Sequence, residues 1–320
     1  VPMDTTAQEP LLRIEELVKT FHDGPLTVHA VNGVSFEVFP GEAVGLVGES
    51  GCGKTTAARA ILRLTDPTSG HVYFDGIDLT TLSGSQLRAQ RRHLQMVFQD
   101  PDTSLNPRFS VRRTLAEPVQ LHKLVDKENL QERLLEAMSR VNLDPVFLGR
   151  YPHQLSEGQR QRVGVARAII TEPKFVALDE PTSSLDMSVR IHMIALLQRL
   201  QEELGMTYIF ISHDLSAVRA LCNRVMVMYL GTIVESGPTD EIFDTPLHEY
   251  TKALLSAIPI PDPRVTRRRI LLKGEPPSLF QLPPGCVFHE RCPTARPECR
   301  QTRPRLRDVG SGHLVACDRY

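Results

Sequence analysis

The segment GESGCGKT, Gly48 to Thr55, restricts what this chain can fold into more than any other stretch. It fits the pattern G-x-x-x-x-G-K-S/T, follows the buried-strand pattern AVGLV and precedes KTTAARAILRL, whose apolar spacing suits a helix. Glycines at 48, 51 and 53 let such a loop curl so that successive backbone N–H groups point inward at phosphate oxygens. Lys54 would reach β- and γ-phosphates, and the Thr55 hydroxyl would ligate Mg²⁺. Gly48, Glu49, Ser50, Gly51, Cys52, Gly53 and Thr56 complete the expected ATP cradle. A glycine-rich turn with an incidental lysine is the ordinary alternative, and the strand before and helix after argue against it. Cys52 reads as loop filler, not as a redox group.

The rest of the chain supplies partners for such a loop. FVALDE, residues 175–180, places four apolar residues ahead of two carboxylates, as a buried strand ending at a polar site would. Asp179 would hold Mg²⁺, and Glu180 would polarise an attacking water as general base. Alone, two acids at a strand end often just face solvent; beside a phosphate loop they gain a purpose. Gln99, after the strand-like LQMVF, would complete the metal shell and sense the γ-phosphate. His213, after YIFIS, would contact the γ-phosphate or the water, although a lone histidine at a strand end is usually structural. In LSEGQ, Ser156 and Gln159 form an S-x-x-Q capping box that opens the helix RQRVGVARAII and presents its N-terminus to a phosphate. An ordinary helix cap is the plain reading of that pentapeptide in isolation.

Strand patterns alternating with helical ones predict an α/β core around a mainly parallel sheet. GHVYFDGIDL, residues 70–79, predicts a hairpin with an Asp-Gly turn, and residues 86–170 read as mostly helical. After about residue 235 the proline-rich composition predicts a weakly structured extension. With 320 residues there is room for about two domains. The net charge of −1 gives no basic field for nucleic acid, and the basic run Arg267–Arg269 reads as a solvated linker. No apolar run approaches the ~18–20 residues of a membrane helix, and VPMDTTAQEP lacks the blocks of a signal peptide. A cytoplasmic chain that meets a membrane only through partners is expected.

Taken together, the phosphate loop, Gln99, LSEGQ, the acid pair, SSLD (Ser183–Asp186) and His213 resemble the ATP-binding subunit of ABC transporters over residues 11–235. The resemblance implies an ABC-type P-loop ATPase core, an N-terminal antiparallel β subdomain and a helical subdomain inserted at about 100–170. It implies a short N-terminal tail (1–10) and an extension over 236–320. It also implies two subunits facing head to tail, each ATP lying between one phosphate loop and the partner's Ser156, Gly158 and Gln159. Phe21 in VKTF would stack on adenine, a core phenylalanine being the alternative. One position departs from the family: Glu157 stands where the signature usually has glycine, and its side chain is expected to point away from the phosphate.

SLNPR, YPHQLSEGQRQR and PLHEYTKALLSAIPIPDP resemble the peptide/nickel importer branch, and within it the second of two non-identical ATPase subunits. The partners this implies are a companion ATPase, two membrane-spanning permeases and an extracytoplasmic solute-binding protein, with the chain on the cytoplasmic face of the inner membrane. The branch carries a C-terminal cysteine-rich extension, here Cys286, Cys292, Cys299 and Cys317, with gaps of five, six and seventeen residues. The resemblance implies that these hold one [4Fe–4S] cluster; tetrahedral Zn²⁺ and unrelated free thiols are the alternatives. A soluble ABC ATPase of the iron–sulfur assembly type and an ATP-binding regulatory subunit with little turnover are the rival functions.

Overall fold

The computed structural model describes residues 9–258, 270–272, 274–275 and 277–320. The Arg267–Arg269 run and all but the last two residues of the N-terminal tail lie outside the described residues. Contacts divide the chain into two compact units, one formed by residues 1–38, 43–80 and 211–320, the other by 39–42 and 81–210.

The first unit opens with a long hairpin of β1 (Leu12–Asp23) and β2 (Leu26–Val38), paired antiparallel from Leu12↔Val38 to Asp23↔Leu26. The central strand β3 (Ala43–Val47) is buried at all five positions, which is why it reads as a continuous apolar run. It leads through the phosphate loop into α1 (Lys54–Ile61). β4 (Ser69–Phe74) and β5 (Ile77–Asp78) form the predicted hairpin. Its turn residues Asp75 and Gly76 have φ of 51° and 77°, the left-handed pair that a two-residue hairpin turn requires. Strands β2-β1-β4-β5 make one antiparallel sheet.

The second unit contains α2 (Gly84–Gln90), β6 (Leu94–Val97), α3 (Pro101–Ser104), α4 (Val111–Leu121) and α5 (Leu130–Arg140). These are followed by α6 (Glu157–Ile169), β7 (Phe175–Asp179), α7 (Met187–Leu204) and β8 (Thr207–Ile211). β6 and β7 pair in parallel, from Leu94↔Phe175 to Val97↔Leu178. α5 buries Leu134, Ala137 and Met138, an i, i+3, i+4 stripe, and leaves its acids exposed. α7 runs for eighteen residues and carries a stop signal at each end. Asp186 accepts the Val189 N–H at 2.9 Å, and Gly205 closes the helix at φ 61°.

On returning to the first unit the chain forms α8 (Leu215–Leu221), β9 (Arg224–Tyr229), β10 (Thr232–Pro238), α9 (Thr239–Asp244) and α10 (Glu249–Ser256). β9 runs parallel to β3, from Val44↔Arg224 to Val47↔Val227, and β10 turns back antiparallel on β9. Beyond residue 235 the structure is more regular than the composition predicts. The short strands β11 (Arg307–Asp308) and β12 (Leu314–Val315) continue the sheet, β12 pairing with β10 through Glu235↔Val315 and Ser236↔Leu314. The physical reason is a buried carboxylate. Glu235 is fully buried, and it accepts from the N–H groups of Leu247 (2.7 Å) and His248 (3.1 Å) and pairs with His313 Nε2 (2.8 Å). A buried acid needs such partners, and they come from the extension. Among the described residues no helix is long and apolar enough to cross a membrane.

Candidate functional site

In the first unit, Gly48 to Thr55 curls between β3 and α1. Two of its three glycines, Gly48 and Gly53, are demanded by backbone proximity. A Cβ on Gly53, which has φ 107°, would lie 2.1 Å from the Ala30 carbonyl oxygen, and one on Gly48 would lie 2.2 Å from that of Met228. Lys54 is only 5% exposed, and its ammonium donates to the carbonyls of Gly48 (2.8 Å) and Glu49 (3.0 Å), along the inner edge of the loop. The Cys52 thiol is buried; desolvation raises its pKa despite Lys54 nearby, so it is a poor nucleophile, as loop filler should be. Ser50 and Gly51 are exposed at the loop tip, and Thr55 and Thr56 sit half-buried in the first turn of α1. The Glu49 N–H donates to the Tyr250 hydroxyl at 2.8 Å, a support from α10 that no motif announces.

Phe21 pairs opposite Val28 on the β1–β2 hairpin and is 42% exposed, with the Lys19 ammonium 4.8 Å from its ring centroid. At that exposure it is not a core phenylalanine. His213, just past β8, is also exposed.

In the second unit, Asp179 ends β7 and is 1% exposed. Glu180 follows with φ 46°, a left-handed conformation that costs a non-glycine residue about 1–2 kcal/mol. Backbone strain of this kind concentrates at functional positions. The Glu180 carboxylate accepts from Gln99 Nε2 at 3.1 Å, so two of the predicted residues, 81 positions apart, meet directly. Ser183 holds the turn after the acid, its N–H and hydroxyl donating to the Glu180 carbonyl at 3.2 and 3.1 Å. Asp186, at the end of SSLD, caps α7 and has its carboxyl pKa lowered by the Val189 N–H and Ser188 hydroxyl.

The predicted capping box is present at the start of α6. Ser156 N–H donates to Gln159 Oε1 at 2.9 Å, and Gln159 N–H donates to Ser156 Oγ at 3.3 Å. Glu157 is exposed in the first helical turn, where an acid complements the helix dipole. Gly158 has to be small: a Cβ there would lie 2.7 Å from Val189 Cγ1 on α7. Two arginines missed by motif reading tie α6 to the segment after Gln99. Arg160 pairs with Asp102 at 2.8 Å, and Arg167 donates to the Ser104 carbonyl at 2.6 Å.

Cys286, Cys292, Cys299 and Cys317 line a single cavity of about 190 Å³ in the first unit, together with His248 and Phe288. Gly285, at φ 69°, lets the chain pass so close to Cys299 that the Cys286 N–H donates to the Cys299 carbonyl at 2.8 Å. Burial, with the three other thiols adding to it, pushes the Cys286 thiol up to about 11; burial likewise raises Cys317. All four are free thiols, and among the described residues no group of three or more His, Cys, Asp or Glu side chains is arranged to hold a metal ion.

A family model described as "ABC transporter" matches residues 31–183, and one described as "Oligopeptide/dipeptide transporter, C-terminal region" matches residues 234–299. The chain is 47% identical to the oligopeptide transport ATP-binding protein AppF of Bacillus subtilis, over 99% of this chain and 100% of that protein. It is 48% identical to the oligopeptide transport ATP-binding protein OppF of Salmonella typhimurium, over 95% of this chain and 92% of that protein. Among solved structures it is similar to the dimeric ATP-binding cassette MJ0796 bound to ADP and Pi, with TM-score 0.66 and 30% identity over 71% of this chain and 98% of that one. The cbiO1 protein of Clostridium perfringens, part of an ABC transporter complex, matches with TM-score 0.66 and 30% identity over 74% of this chain and 92% of that one. The curled phosphate loop, the Gln99–Glu180 contact and the capped α6 thus stand in a chain that belongs to the ABC transporter family, among its oligopeptide-transport ATP-binding proteins.

Proposed function

We propose that this chain is the ATP-hydrolysing subunit that powers import of short peptides by a binding-protein-dependent ABC transporter. The observation that carries the reading is the loop Gly48–Thr55, where a Cβ on Gly48 or Gly53 would lie 2.1–2.2 Å from a backbone oxygen and where the lysine runs along the inner edge. Backbone N–H groups and Lys54 bind the triphosphate, Phe21 stacks on the adenine, and Glu180 takes the proton of the attacking water. Gln99 holds the Glu180 carboxylate, so a shift of the segment after Gln99 changes the base's aim. His213 steadies the γ-phosphate. Ser156, Gly158 and Gln159 close on the ATP of a companion ATPase subunit, and Glu157, exposed, leaves that helix end accessible. Thr55, Gln99 and Asp179 each offer a side-chain oxygen of the kind Mg²⁺ takes, and the ion would neutralise charge on the β- and γ-phosphates.

In this reading residues 11–235 are the ATPase domain with its helical subdomain at about 100–170, and residues 236–320 are the extension. Two membrane-spanning permeases and an extracytoplasmic binding protein complete the importer, and the chain works at the cytoplasmic face of the inner membrane. Reconstitution of all five chains in proteoliposomes tests it. Uptake of labelled short peptide should require ATP and all five chains; ATP hydrolysis by a chain that never joins the permeases would favour a soluble ATPase instead.

We also propose that the four thiols around one cavity hold a [4Fe–4S] cluster, tetrahedral Zn²⁺ being the alternative. When bound, such a centre would cross-link a proline-rich segment that buries little apolar surface. Protein purified without oxygen should carry about four irons and four sulfides per chain. One zinc and no iron would reject the cluster.

A further inference from the structure

A phosphate-binding loop is an unfavourable place for a carboxylate, yet Glu49 follows the first glycine of the loop. An unpaired acid there would repel the triphosphate. The structure supplies a partner from far along the chain. The Arg291 guanidinium grips the Glu49 carboxylate as a fork, Nη1 donating at 2.9 and 3.2 Å and Nη2 at 3.2 Å. Its side chain is 8% exposed and that of Glu49 is 31% exposed, so the pair is largely shielded from water. Arg291 also donates to the Tyr229 hydroxyl at 3.3 Å. The residue after it is Cys292, and three residues before it Phe288 packs edge-on to Tyr229 (5.3 Å) and against Tyr250 (5.5 Å). Tyr250 in turn accepts the Glu49 N–H. Side chain and backbone of one loop residue are therefore both held by the elements that frame the cysteine cavity.

We propose that Arg291 is a positioning residue for the nucleotide: from the cysteine-rich segment it pins and neutralises Glu49, so that ATP affinity depends on where that segment sits. The inference rests on Gly48–Thr55 being the ATP cradle. It makes the extension a controller of the loop rather than a tail, because anything that displaces residues 286–292 withdraws the counter-charge of Glu49. By linkage the influence runs both ways, and ATP on the loop should steady the segment.

The test is the dissociation constant of a fluorescent non-hydrolysable ATP analogue, measured with Mg²⁺ on the full chain. Arg291→Met should raise it about tenfold, within the range usual for coupling between sites. Arg291→Lys, which keeps the charge and loses the fork, should raise it by about threefold or less. The double variant Glu49→Gln with Arg291→Met should bind the analogue more tightly than Arg291→Met alone, because no lone carboxylate remains. Amide exchange over 286–299 should slow when the analogue binds to the parent and stay unchanged in Arg291→Met. If the Met variant does not fold, Arg291→Gln replaces it. Parental affinity in a folded Arg291→Met chain, or a double variant as weak as the single, would make Arg291 a mere staple and overturn the proposal. A parent that binds no analogue, with Lys54→Ala indistinguishable from it, would overturn the cradle reading itself and this inference with it.

Discussion

Glu180→Gln is expected to lower the rate of ATP hydrolysis by about 10²–10⁴-fold, the usual contribution of a positioned general base. ATP binding should survive. The amide keeps the shape of the carboxylate and can still accept from Gln99 Nε2, now 3.1 Å away, but it cannot take a proton from water. Two observations make Glu180 the residue on which this effect depends. It sits at the first position beyond a fully buried strand, where the backbone is held in the left-handed region at φ 46°. Its side chain is steered by Gln99 rather than left to solvent. Single-turnover hydrolysis and nucleotide binding, measured on the same preparation, separate the two predictions. Hydrolysis at the parental rate would remove Glu180 from the chemistry.

The second large effect belongs to the loop backbone. Gly53→Ala is expected to weaken ATP binding by at least about tenfold and to lower the melting temperature by several degrees. Any other residue at φ 107° is strained, at a cost of about 1–2 kcal/mol. The new methyl would also press 2.1 Å from the Ala30 carbonyl oxygen, so β2 or the loop must move. Overpacking of this kind costs roughly 1–3 kcal/mol more. A displacement of about 1 Å in a positioned site can cost as much as 10² in function. Gly51→Ala is the control: Gly51 has φ 78°, but nothing lies within 4 Å of its Cβ position, so only the backbone strain applies. Scanning calorimetry and nucleotide titration should rank Gly53→Ala well below Gly51→Ala on both measures; equal behaviour would mean that the close approach to Ala30 plays no part.

What could be read from the sequence was what local chemistry dictates. The phosphate loop shows itself because glycines, lysine and threonine must stand at fixed offsets within eight residues. The Ser156–Gln159 capping box and the Asp75-Gly76 turn are equally local, and both have the predicted form. The extension was not legible. Strand β12 is two residues long, too short for any alternation to show, and it finds β10 about eighty residues earlier because buried Glu235 needs His313. The Arg291–Glu49 fork joins residues 242 positions apart, and the Arg160–Asp102 pair joins 58. Neither arginine stands out in sequence, since an arginine is ordinary wherever it is solvated. The exposure of Phe21 was likewise beyond the pattern, which fits a core ring and a stacking ring equally well.

The central claim is that two ATPase subunits clamp each ATP between a phosphate loop and the opposite capped helix. The measurement that reaches it most directly is the structure of the Glu180→Gln chain, assembled with its companion and loaded with ATP and Mg²⁺. Ser156 should lie within hydrogen-bonding reach, about 3 Å, of the γ-phosphate held by the companion's loop. If both subunits hold ATP in a closed assembly and LSEGQ points away from every triphosphate, the clamp does not exist.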